Sequence, residues 1–306
     1  MSKIVVIGSS NTDMVVKTSR FPKPGETILG GTFFMFAGGK GANQAVAAAR
    51  MGGEVVFVAK VGDDIFGKQA IEGFQNEKIN TNYISTDAEK ASGTALIIVN
   101  EAGENNIVVA SGSNDTLSEE DILKAKSEIE DAEVVLMQLE IPISSVVFAA
   151  NLGVKTESKV ILNPAPAQDL PQEIYPLLYL ITPNETEAGI LTGIDVTDDA
   201  SVAEAAQVLL DKGVRNVIIT LGERGAYFKN EYQAFFMETP LVDAVDTTAA
   251  GDIFNGTLAV ALAYKKDWRS AVELACKAAA ISVTRMGAQA SAPYLDEISC
   301  SSNFYF

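Results

Sequence analysis

Short β-branched apolar runs recur along this chain, and stretches with helical periodicity separate most of them. Runs that are apolar at nearly every position read as strands buried on both faces, the condition of a parallel sheet. Parallel neighbours need a crossover of roughly a dozen residues or more, usually a helix. The repeated order of strand and helix therefore confines the chain to an α/β fold with helices packed on its sheet.

The strand-like runs are Ile4–Gly8, Glu54–Lys60, Glu133–Leu139, Lys159–Leu162, Leu178–Thr182 and Asn216–Thr220. Helices are predicted over Gly41–Met51, Asp64–Asn76, Glu185–Thr192, Asp198–Lys212, Ala249–Tyr264 and Trp268–Thr284. Ser118-Glu-Glu-Asp121 reads as a capping box with Leu117 as its staple, and Pro142 suits the first turn of the helix after it. Three segments read as hairpins instead. Met14–Lys17 and Gly31–Phe36 alternate around the turn cluster Phe21–Gly25; Thr94–Asn100 and Asn105–Ala110 flank Glu101–Glu104; Gly225–Lys229 faces Gln233–Met237. The expected fold is a doubly wound, mostly parallel sheet core flanked by helices, as one domain over residues 1–306. Insertions at about 12–37 and 93–111 are expected to meet as a small β-sheet lid over the strand C-termini, where such folds bind ligands.

Composition removes several functions. The formal net charge of −17 argues against nucleic acid and anionic membranes as partners. With no histidine, Ser-His-Asp, Cys-His and His-based metal chemistry are excluded, so a general base must be Asp, Glu, Lys, Tyr or Cys. Two cysteines, Cys276 and Cys300, suggest neither a disulfide framework nor a metal site. The N-terminus lacks the long apolar region and small-residue cleavage site of a signal peptide. No stretch approaches the ~18 apolar residues of a membrane span. A cytoplasmic enzyme is the expectation.

Five segments carry candidate chemistry. In Asp246-Thr-Thr-Ala-Ala-Gly-Asp252 a loop of small residues runs into a helix. Its backbone N–H groups and the helix dipole suit an anion, and Asp252 in the first turn suits a general base for a hydroxyl attacking phosphorus. A capped helix with Gly251 for close packing explains the string equally well. Gly38-Gly-Lys40-Gly-Ala-Asn43-Gln44 sets glycines around a lysine at another helix start. It matches neither a Walker A loop nor a dinucleotide fingerprint; it suits a polyhydroxylated ligand, or a tight strand-to-helix turn. Asn11 and Asp13 leave the first strand and could bridge adjacent hydroxyls, or cap a turn. Asn184 and Glu187 form a capping-box pair, or reach phosphate and hydrated Mg²⁺. Thr220-Leu-Gly222-Glu-Arg-Gly225 allows close nucleotide approach, or is a simple turn.

These five segments, in this order, resemble the ribokinase family of sugar and nucleoside kinases, over about Lys3 to Pro293. The segments Gly38–Ala45 and Asp246–Asp252 resemble its ribokinase branch more than its fructokinases or adenosine kinases. The resemblance implies ATP-dependent phosphorylation of D-ribose at the 5-hydroxyl, with Asp252 as base. It implies sugar contacts from Asn11, Asp13, Gly39, Lys40, Asn43, Glu140 and Asp252, and nucleotide contacts from Asn184, Thr220, Leu221, Gly222, Glu223, Arg224, Gly225, Gly251, Asp252 and Cys276. It implies an anion hole at Ala249, Ala250, Gly251 and Asp252, and Mg²⁺ associated indirectly with Glu187. It further implies K⁺ held by Asp246, Thr248, Ser282, Arg285, Gly287 and Ser291, and a homodimer through the lid strands. Two features depart from the family. Cys276 stands near adenine where relatives often carry Asn or His, so contacts there should be weaker or apolar. The segment from Ser299 to Phe306 does not read as the usual final helix. Rival readings are a kinase for deoxyribose, fructose or adenosine, and a sugar-binding protein without turnover.

Overall fold

In the computed structural model, which describes residues 2–299, the chain alternates as its apolar pattern requires. The first strand, β1 (Lys3–Ile7), leads into the lid strands β2 (Asn11–Lys17) and β3 (Thr32–Gly38). Then follow α1 (Lys40–Arg50), β4 (Glu54–Gly62), α2 (Ile65–Asn76) and β5 (Asn80–Asp87). The lid resumes with β6 (Gly93–Val99) and β7 (Asn105–Ala110). The other half holds α3 (Glu119–Lys124), α4 (Lys126–Glu130), β8 (Val134–Met137), α5 (Ile143–Lys155), β9 (Lys159–Leu162) and β10 (Leu180–Ile181). It continues through α6 (Glu185–Thr192), α7 (Asp199–Asp211), β11 (Asn216–Thr220), β12 (Ala226–Asn230) and β13 (Ala234–Met237). Three helices follow: α8 (Ala250–Ala263), α9 (Trp268–Ser282) and α10 (Leu295–Ser299).

The main sheet has nine strands in the order β13-β12-β11-β10-β9-β8-β1-β4-β5, parallel except for the β12–β13 edge. From β1 the chain builds outward through β4 and β5, then returns to β8 beside β1 and builds the other way. The order therefore reverses between β1 and β8, and a crevice opens there at the strand C-termini. On one face α1, α8 and α9 bury Ile4, Val6, Phe57 and Ile218. On the other, α3 to α7 cover Val5, Ile7, Met137 and Ile219. Alternate residues of β1 thus enter opposite layers, which is why its whole run is apolar. Among the described residues no helix is long and apolar enough to cross a membrane.

The two insertions meet. They form a four-stranded sheet, β3-β2-β6-β7. Hydrogen bonds tie its base to the core: Ser92 Oγ and N donate to Asp64, and Asn114 Nδ2 donates to Asn11 Oδ1 at 2.8 Å.

Some expectations need correction. The strand β5 is not among the expected strands, because Asn80–Asp87 is mostly polar and half-exposed, as an edge strand can be. Pro142 lies at the cap of α5 rather than in its first turn. The Ser118 capping box is present, with Leu117 buried beneath it. Ser299 ends α10, and the rest of the unusual tail, Cys300 included, lies outside the described residues.

Candidate active site

Asp252 sits in the first turn of α8, at the mouth of the crevice, and is almost wholly buried. It is not the helix cap. Ala249 holds that position with φ 61°, and makes no side-chain capping bond. Both Asp252 oxygens instead accept from α1: Asn43 Nδ2 donates to Oδ2 and Gln44 Nε2 to Oδ1, each at 2.9 Å. Burial drives the Asp252 carboxyl above its ordinary range; Lys40 and the two amides oppose that shift. Gly251 beside it is exposed, and a methyl group there would meet nothing within 4 Å. Close packing therefore does not explain this glycine, whereas an open approach to the helix start does.

Lys40 opens α1 because Gly39, at φ 88°, turns the chain there, and Gly39 has no room for a side chain against Asn11 N and Ser10. Burial would lower the Lys40 ammonium pKa, but the surrounding carboxylates Asp252, Glu140, Glu187 and Asp13 raise it overall. The lysine therefore stays charged amid the acids. Glu140 follows β8, and its Oε2 accepts from Ser9 Oγ at 2.6 Å and from Lys40 N at 3.0 Å. That contact bridges the two sides of the sheet reversal. Asp13 lies in mid-strand on β2 with its carboxyl laid over Gly38, where any Cβ would collide with it. Burial, then Glu140 and Asp252, push the Asp13 pKa up to about 6.

Asp13, Lys40, Asn43, Glu140 and Asp252 are thus brought near one another by β2, α1, the loop after β8 and α8, while Gly39 packs against the main chain of Asn11, whose Oδ1 accepts from Asn114. Asn43 Oδ1 is buried without a hydrogen-bond partner. An unpaired buried acceptor is costly, and it suits a ligand that brings a donor. Beside this centre, a cavity of about 450 Å³ opens between the lid's inner face and the loop before α8; Asp13, Phe34, Phe36, Ile97, Asp246 and Gly287 line it.

The proposed nucleotide side is built more loosely. Asn184 and Glu187 make a reciprocal capping box at α6, with bonds of 2.8 and 2.9 Å. Burial raises the Glu187 pKa against the opposing Asn184 N–H and Lys40. Asn184 and Thr220 pair as an isolated parallel bridge, which aligns the ends of two strands. Leu221 N donates to Gly225 O at 2.8 Å, closing the turn that Gly222 and Gly225 permit with positive φ. Glu223 lies exposed on that turn. Arg224 is drawn outward to Glu185 and Asp199. Cys276 is only 3% exposed and belongs to the apolar layer under α9, where burial pushes its thiol up to about 12. It packs as an apolar side chain.

The predicted cation ligands form a joined pair of loops. Asp246 N donates to Val283 O at 3.1 Å, Gly287 N to Asp246 Oδ2 at 2.9 Å, and Thr248 N to Asp246 Oδ1 at 2.9 Å. Arg285 N donates to Ser282 O at 3.0 Å while its guanidinium pairs with Glu297. Ser291 Oγ is turned to Ala288 O. Arg50 Nη1 holds the carbonyls of Gln289 and Ala292 at 2.9 and 2.7 Å, fastening this loop to α1. Among the described residues no group of three or more His, Cys, Asp or Glu side chains converges to hold a metal ion.

The family model described as pfkB family carbohydrate kinase matches residues 1–295. The chain belongs to the pfkB carbohydrate kinase family. It is 46% identical over 294 residues to a Haemophilus influenzae ribokinase, covering 96% of each chain. It is 39% identical over 295 residues to a Salmonella typhi deoxyribokinase, again covering 96% of each. An Arabidopsis thaliana ribokinase, solved with ribose and ATP, superposes with a TM-score of 0.92 at 30% identity, covering all of both chains.

Several residues of this pfkB site carry no role in the sequence reading. Gln44, Gln138, Asn163, Thr182 and Asn255 form a buried polar layer beneath Asp252. A signal exists for two of them: Asn163 and Thr182 each end a strongly apolar strand run, where a buried polar group needs a partner. The partners lie far away in sequence, so no local pattern reveals them.

Proposed function

We propose that the protein transfers the γ-phosphoryl group of ATP to the 5-hydroxyl of D-ribose, giving ribose 5-phosphate and ADP. The observation that carries this reading is a buried carboxylate held by neutral amides at the open start of a helix. Asp252 takes the proton of the 5-hydroxyl as that oxygen bonds to the γ-phosphorus and the bond to ADP breaks. The N–H groups of Ala249 to Asp252 steady the negative charge that develops. Asn11, Asp13, Gly39, Lys40, Asn43 and Glu140 read the sugar hydroxyls. Carboxylates accept from hydroxyls, while the lysine and amides donate. Asn184, the turn Thr220 to Gly225 and Gly251 bind the nucleotide. Cys276 adds only apolar bulk near the base.

Two ions belong to the proposal. Mg²⁺ bound with ATP would neutralise phosphate charge, and Glu187 would hold it indirectly, through water, as suits its preference for hard oxygen ligands. K⁺ fits the oxygen-rich pair of loops holding Asp246, Thr248, Ser282, Arg285, Gly287 and Ser291, several through main-chain carbonyls. When bound, it would shape the loop that leads into the anion hole. We further infer that the enzyme works in the cytoplasm, where ATP is supplied, as a homodimer joined through the lid.

Turnover assays with ATP and D-ribose, 2-deoxyribose, fructose or adenosine test the substrate. Ribose should give the highest kcat/KM. A preference for 2-deoxyribose, favoured by the likeness to a deoxyribokinase, would replace ribose while keeping the chemistry. Sugar binding without ADP release would overturn the reaction itself.

A further inference from the structure

We propose that Gln44 positions the base, and that the main-chain carbonyl of Thr182 dictates how Gln44 points, acting through Asn163. The inference rests on Asp252 being the base proposed above. An amide side chain can sit either way round, but a main-chain carbonyl can only accept. Thr182 O accepts from Asn163 Nδ2 at 3.0 Å. That leaves Asn163 Oδ1 facing Gln44, which must answer with its nitrogen. Gln44 Nε2 donates to Asn163 Oδ1 at 3.0 Å and to Asp252 Oδ1 at 2.9 Å, so both its N–H groups are used. Gln44 Oε1 accepts from Gln138 Nε2 at 2.6 Å. Turned over, Gln44 would set an oxygen against a carboxylate and a second amide oxygen, in surroundings that screen the repulsion poorly.

The same Thr182 braces the backbone ahead of the base. Its Oγ1 donates to Asn255 Oδ1 at 2.6 Å, and Asn255 Nδ2 donates to Gly251 O at 2.8 Å. One residue at a strand end thus anchors both Asp252 and the turn that presents it. Gln44, Gln138, Asn163, Thr182 and Asn255 are all buried and none ionises. The charged groups facing Asp252 come from elsewhere: Lys40 on α1, Asp13 on β2, Glu140 after β8 and Glu187 on α6. A cation bonded directly to Asp252 would depress its basicity strongly; neutral amides fix its direction with less effect.

Gln44→Met keeps the length of the side chain and removes both donors. The expected result is a kcat lower by roughly ten- to hundredfold, the scale of one hydrogen bond to a charged group. KM for ribose should change little. The acid limb of the kcat–pH profile should move up by about one pH unit, because Asp252 loses a donor to its charged form. Asn163→Leu, which frees Gln44 to turn, should move both readouts in the same direction, and carries the test if Gln44→Met does not fold. Thermal melts and calorimetric ribose binding identify folded variants. An unmoved acid limb in folded variants overturns the role of Gln44, whether or not kcat falls. Loss of the proposed reaction would look different: the parent enzyme itself would show no turnover.

Discussion

Asp252 and Asp13 bear the same carboxyl group a short way apart, yet their settings prepare them for different work. Asp252 has both oxygens held from α1 by neutral donors. Asp252→Asn should keep the fold and ribose binding, and lower kcat by roughly 10²–10⁴-fold, the range for a general base. Steady-state kinetics beside calorimetric ribose binding check this, and near-parental kcat would remove Asp252 from the mechanism. Asp13 lies over Gly38 with its pKa pushed up to about 6 by burial and by Glu140 and Asp252. The unfolded chain would titrate it near 4, at about the ordinary value. Between those pH values the folded protein keeps a proton that the unfolded chain has lost. Asp13 therefore costs no stability below about pH 4; its cost grows from there and is complete once pH has passed about 6. Asp13→Asn should stabilise the sugar-free protein above that pH, by on the order of 3 kcal/mol, and leave it unchanged in acid. The same variant should raise KM for ribose about tenfold or more. Melting curves across pH, with and without ribose, separate the two effects.

Within α8, two glycines five positions apart divide function from packing. A methyl group at Gly256 would fall 2.5 Å from Gln44 O and 2.7 Å from Ala47 Cβ, so the glycine lets α8 lie against α1. Gly256→Ala should cost about 1–3 kcal/mol by overpacking. Gly251 faces open space. Gly251→Ala should leave the melting temperature unchanged or slightly higher, since alanine favours helix, while lowering kcat about tenfold or more by obstructing the anion hole. A Gly251→Ala enzyme with parental kcat would mean that this helix start does not approach the phosphates. The core strands were legible because burial on both faces leaves an unbroken apolar run, as from Ile4 to Ile7 in β1. Helix starts were legible where a side chain caps them, as at Ser118, Asn184 and Asp198. The strand β5 was not, because an edge strand with polar residues lacks that contrast. The string around Asp252 left base and cap in balance; the structure sets Ala249 at the cap position, and the amides that hold Asp252 come from Asn43 and Gln44, more than 200 residues away in sequence.

At the scale of the whole molecule, the lid has two unlike faces. Strand register places Met35, Met14, Leu96 and Val108 in one row across all four strands, and Phe33 and Val16 in the next. Phe33, Met35, Leu96 and Val108 are 60%, 48%, 54% and 66% exposed, which makes a continuous apolar surface. The opposite face carries Asp13, Phe34, Phe36 and Ile97 toward the cavity. An apolar face of this extent calls for a cover, and the proposed dimer supplies it with a second lid. Each copy carries a formal charge of −17, so two copies repel through solvent while their lids attract. Salt screens the repulsion and strengthens apolar contact, so dimerisation should tighten as ionic strength rises. Leu96→Glu adds a charge at the centre of the apolar row in both copies. Sedimentation equilibrium should then show a monomer where the parent shows a dimer, with the largest difference at low salt. Because Leu96 lies on the face opposite the cavity that Asp13 and Ile97 line, the variant should still transfer phosphate. A Leu96→Glu protein that sediments as the parent does would place the contact between copies on some surface other than the lid.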